Sequence, residues 1–73
     1  MELETHKTHD IHVLTANGFP VIAWVRGTGF LTVRRVLPHP ISKAVRLFRG
    51  QSPCKLVDQD VLDKLFAEMR GVS

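Results

Sequence analysis

The chain has 73 residues, 44% hydrophobic and 23% charged, and ten Lys or Arg against seven Asp or Glu give a formal net charge of +3. This length makes one small domain with a thin core, and this composition argues against wholesale disorder. One cysteine excludes an internal disulfide, the longest apolar stretch (Val21 to Val25) is far short of the ~20 residues of a membrane span, and the polar N-terminus offers no apolar signal segment.

Taken in chain order, residues 1–10 are expected to be a flexible N-terminal segment. Leu3 is their only large aliphatic besides Met1, so they can bury little. A single small α+β domain is expected over 11–73. Ile11 to Ala16 is rich in β-branched residues and reads as a strand. Asn17-Gly18 is a strong hairpin signal, and Pro20 opens a second strand, Val21 to Arg26, where a missing N–H is tolerated. Gly27-Thr28-Gly29 reverses the chain again before a third strand, Phe30 to Leu37. Pro38-His39-Pro40 ends the sheet.

Ile41, Ala44, Val45 and Phe48 then fall on one helical face. Alternation of Lys43, Val45 and Leu47 keeps a short strand as the alternative, although Pro40 and Gly50 favour the helix. Gln51 to Val57 reads as a loop or short extended piece. Asp58 or Asp60 is expected to cap a second helix with Val61, Leu62, Leu65, Phe66 and Met69 as its apolar stripe and Gly71 at its end. The expected fold is α+β, a three-stranded antiparallel β-meander followed by two short helices. Neither face of the second or third strand is cleanly polar, so the sheet is either covered on both sides or left with an apolar contact surface.

The charge is segregated along the chain. Between Ile11 and Val57 lie Arg26, Arg34, Arg35, Lys43, Arg46, Arg49 and Lys55, with no Asp or Glu, while all seven acids flank that stretch. Such a segment projects a positive field toward a phosphate backbone or an acidic protein surface. Lys43, Arg46 and Arg49 recur every three residues and would form one helix face opposite Ile41, Val45 and Phe48, whereas Arg34 and Arg35 would point to opposite sides of their strand. A solvated helix face is the bland alternative for the stripe.

Signals for bond-making chemistry are weak. His6, His9 and His12 recur every three residues, but a zinc site needs about four placed ligands and Cys54 is alone. Nothing in the sequence places His39 or another base beside Cys54. Gly27 and Gly29 lack the third glycine and following helix of a phosphate cradle, and no paired carboxylates occur in the central sheet. The expectation is a non-enzymatic protein without a cofactor or metal. The aromatics are not interleaved with basic residues as in an RNA-binding sheet, which weakens stacking recognition.

The run from Met1-Glu2-Leu3-Glu4-Thr5-His6-Lys7-Thr8-His9 through Asn17-Gly18-Phe19-Pro20 to Val33-Arg34-Arg35-Val36, at this total length, resembles the small RNA polymerase-binding transcription regulators of lytic Xanthomonas bacteriophages. The resemblance covers the chain but contains no portable motif. It implies a protein that binds the core subunits of bacterial RNA polymerase, inhibits initiation and promotes antitermination by protein–protein contact. It would act in the cytoplasm of the host cell as a monomer, away from membranes, with a contribution from nucleic acid in the complex left open. Arg26, Arg34, Arg35, Lys43, Arg46 and Arg49 are the expected electrostatic contacts, with Trp24 and Phe30 as apolar anchors. The alternatives are a small basic nucleic-acid-binding module and, using the N-terminal histidines, a small metal-dependent enzyme or zinc domain.

Overall fold

The computed structural model describes residues 2–71. Met1, which begins the segment expected to be loosely held, and Val72 and Ser73 lie outside them. The elements run β1 (Leu3–Lys7), β2 (Ile11–Ala16), β3 (Phe19–Val25), β4 (Gly29–Val33), α1 (His39–Arg49), β5 (Cys54–Val57) and α2 (Gln59–Gly71). The strands form one sheet in the order β1-β2-β3-β4-β5. The first four pair antiparallel, and β5 returns parallel to β4 after the α1 crossover.

The class is α+β, but the expected three-stranded meander is wrong: the sheet is mixed and has five strands. The N-terminal segment contributes one of the two missing strands. Its residues are polar and mostly exposed, so hydrophobic patterning could not reveal it. Backbone pairing holds it, from Leu3 opposite Ala16 to Lys7 opposite His12. Thr8 closes the hairpin: its N–H donates to the Ile11 carbonyl (2.8 Å), and its hydroxyl accepts from the Ile11 N–H (3.1 Å). The second missing strand, β5, falls in the stretch read as a loop or extended piece. It is an edge strand of four residues with Lys55 and Leu56 exposed, so it too lacks an apolar alternation.

The two central reversals follow the expected chemistry. Asn17 (φ 54°) and Gly18 (φ 85°) both take positive φ, as a two-residue hairpin turn of this hand requires. A register shift beside Leu14 and Thr15 lets Pro20 enter β3 opposite Thr15. The third strand stops at Val33, short of the expected Leu37. Residues 41–49 are helical, which resolves the helix-or-strand alternative. Pro40 sits in the first turn of α1, and the Gly50 N–H closes the last turn on the Arg46 carbonyl (2.9 Å).

Strand register and alternation define two sheet faces. Val13, Ala23 and Leu31 share one, with His6 beside Val13. There α2 packs, and the His6 and Phe66 rings meet edge to face at 4.9 Å. Leu14, Ile22 and Thr32 share the other, with Trp24 and Phe30 in the next row. There α1 packs, through Phe30 and Phe48 at 5.9 Å. The sheet is thus a middle layer between two helices, which explains why neither strand face reads as polar. Val13, Val21, Ile22, Ala23 and Leu62 have no exposed surface. Two buried threonines are satisfied: the Thr32 hydroxyl donates to the Val21 carbonyl (3.1 Å) and the Thr15 hydroxyl to the Glu4 carbonyl (3.3 Å). The second bond leaves the Thr15 oxygen to accept from His6 Nε2 at 3.2 Å, which ties β1 into the core.

Candidate partner-binding surface

Folding scatters the basic set that is continuous in sequence and returns some of the flanking acids to it. Arg26 follows β3, and its Nη1 lies 3.6 Å from Asp10 Oδ1, while its N–H donates to the Asp10 carbonyl (2.9 Å). The Asp10 carboxyl is held below its ordinary 3.8, first by its hydrogen bond with His9 (3.1 Å); desolvation opposes this, and the His9 and Arg26 charges then lower it further.

At the opposite end of β4, Arg34 Nε lies 3.4 Å from Asp58 Oδ1, and Arg35 Nε donates to Gln59 Oε1 (3.1 Å). The Gln59 amide in turn donates to the Pro20 carbonyl (2.8 Å) and to Asp63 Oδ1 (3.0 Å). Arg34 and Arg35 were expected on opposite faces of a strand. Because the strand ends at Val33, both lie in the bend beyond it and turn toward the junction of β5 and α2. They tie that junction together while both side chains stay exposed.

Helix α1 keeps its charge available. Lys43 and Arg46 are exposed and make no ion pair among the described residues, while the acids that could neutralise them lie on other elements. Arg49 departs from the expected stripe. It is half-buried, and its Nε is enclosed without an acceptor among the described residues. The third step of a three-residue repeat has drifted around the helix toward the sheet. In its place the outer face carries Leu47, 76% exposed, one turn after Lys43 and next to Arg46. Val36, 95% exposed, lies in the segment leading into the helix. Sequence reasoning missed both. The signal was available for Leu47, an aliphatic at a helix position off the Ile41–Val45–Phe48 stripe.

Trp24 and Phe30 are half-buried neighbours in register, with the His12 ring 5.2 Å from Trp24. They share the sheet face under α1, but they line a cleft at one end of it, while Lys43 and Arg46 lie on the helix's outer side. The expected residues therefore form three groups: the α1 surface, the aromatic cleft and the clamped arginines.

The other candidate chemistry does not assemble. His6 and His12 lie on opposite sheet faces, and His9 is in the turn between them. Among the described residues no three potential ligands converge on a metal position. Cys54 stands beside Phe30 at the start of β4, whereas His39 opens α1 beyond that strand's end. Gly27 and Gly29 belong to the tight reversal between β3 and β4, where the Thr28 N–H meets the Val25 carbonyl at 3.0 Å. Among the described residues no helix is long and apolar enough to cross a membrane. Comparison with protein-family models, with curated proteins and with solved structures finds no match.

Proposed function

We propose that the protein is a non-enzymatic regulator that docks on bacterial RNA polymerase through α1, inhibiting initiation and promoting antitermination by protein–protein contact. The observation that carries the docking surface is Leu47, an exposed aliphatic beside two exposed cations, Lys43 one turn before it and Arg46 next to it. Apolar contact beside exposed charge suits an acidic protein groove: the leucine supplies buried area, and the cations set orientation and on-rate. The choice of polymerase as partner is supported by the sequence resemblance.

Binding would regulate only through a difference in affinity between polymerase states. A surface complementary to a state that cannot hold the promoter-specificity subunit lowers initiation by mass action, without any bond-making step. The test is binding of the purified protein to core polymerase at low salt. Leu47→Ser and the double charge reversal Lys43→Glu with Arg46→Glu are each expected to weaken binding roughly tenfold or more, a ~1.4 kcal/mol effect within the range of interface anchors. Undetectable binding of the parent protein, or full affinity in both variants, would overturn the reading.

A further inference from the structure

A row of side chains crosses all five strands at one end of the sheet: Lys7, His12, Trp24, Phe30 and Cys54 stand in register, one from each strand. At a strand spacing of about 4.8 Å the row is about 19 Å long. Its central three positions are aromatic rings. Phe48 of α1 adds a fourth ring against Phe30, and all four rings are partly exposed. Two adjoining cavities of about 430 and 620 Å³ share Trp24 and Phe30 as their common wall. Lys7 lines the first, and among the described residues no acidic side chain lines either; Lys55 follows Cys54 in β5 and by alternation shares the opposite sheet face with Leu31.

From this row we infer that the cleft binds single-stranded nucleic acid, with bases stacked on Trp24 and its aromatic neighbours and the backbone held by Lys7. Successive π faces beside a cationic end suit a run of bases, each of which can stack whatever its identity. The length accommodates two or three nucleotides. An acidic peptide is a poorer occupant. The row runs across the strands, so a peptide lying along it cannot add to the sheet by ladder hydrogen bonds, and it would use the row of rings less fully than successive bases. The site is separate from Lys43, Arg46 and Leu47, and it does not depend on the polymerase reading.

Trp24 is the chain's one tryptophan, so its fluorescence reports the site directly. Titration with a short single-stranded oligothymidylate at low salt is expected to quench it saturably. The one lysine–phosphate contact, from Lys7, sets the log–log salt dependence at about −0.7 on a single strand. Phe48→Leu and Phe30→Leu keep an apolar side chain but remove a ring. Each should weaken binding about fivefold or more, with circular dichroism confirming an unchanged fold. The Lys43→Glu/Arg46→Glu protein should bind the oligonucleotide with undiminished affinity, even where polymerase binding is lost. Absence of quenching, equal quenching by polyglutamate or by duplex DNA, full affinity in both ring variants, or loss of binding in the α1 double variant would each overturn the inference.

Discussion

Gly50 ends α1 at φ 67° and ψ −133°, a backbone region that side chains with a Cβ rarely occupy. A Cβ there would meet nothing within 4 Å, so the cost of Gly50→Ala is conformational and not steric. It is expected to be about 1–3 kcal/mol by chemical denaturation. Leu62, by contrast, is fully enclosed, and Leu62→Ala should cost about 2–5 kcal/mol through lost burial and the cavity left behind. Leu47→Ser should leave stability within about 0.5 kcal/mol, because the side chain is mostly in water already. That contrast makes it a usable probe of binding. Asp10 adds a pH signature. Its folded-state pKa lies below the ordinary 3.8, so its contribution to stability is present above that value and is lost as pH falls through the folded pKa. The melting-temperature difference between the parent and Asp10→Asn should accordingly shrink to nothing as pH is lowered from 6 through about 3.8 and below.

Among the elements, β1 carries the least apolar surface yet is tied into the core. Leu3 is its one large aliphatic and is itself partly exposed, while His6 reaches Thr15 and Phe66. Deleting residues 2–7 strips these contacts and leaves the buried Thr15 hydroxyl without its acceptor on Glu4. The expected loss is about 1 kcal/mol or more from the strand's hydrogen bonds and the apolar surface it uncovers, read by denaturation, whereas a loosely attached tail could be removed at no cost. The strand was illegible because backbone pairing leaves no trace in a polar sequence. The same holds for β5, where Lys55 and Leu56 both face water. Turns were legible for the opposite reason: Asn17-Gly18 is a local solution to a local backbone requirement. Helix α2 was legible because Leu62 and Phe66 are spaced to meet one sheet face.

At the scale of the whole molecule, the field of the cationic midsection is partly cancelled by the fold. Asp10 returns to Arg26 and Asp58 to Arg34, so among the described residues the exposed cations of the midsection without an ion-pair partner are Arg35, Lys43, Arg46 and Lys55. Reversing charge at Lys43 and Arg46 should therefore slow partner association at low salt more than reversing it at Arg26 or Arg34. The difference should fade as ionic strength rises toward 1 M, where the Debye length is about 3 Å. Association rates measured across a salt series would check both statements. Placement of the basic residues in sequence could not show this, because pairing with distant acids depends on where β2 and α2 begin in space.

Composition and local pattern by themselves determined a small α+β domain, its central hairpins, its second helix and a midsection rich in positive charge, since each follows from neighbours within a few residues. Tertiary structure decided the mixed five-stranded sheet, the helices on opposite faces, the arginines diverted into structural contacts, and the row that aligns His12, Trp24 and Phe30. The physical reason is that strand pairing and ion pairing join residues far apart in sequence through backbone and charge. Neither interaction requires the periodic apolar pattern that a linear reading detects.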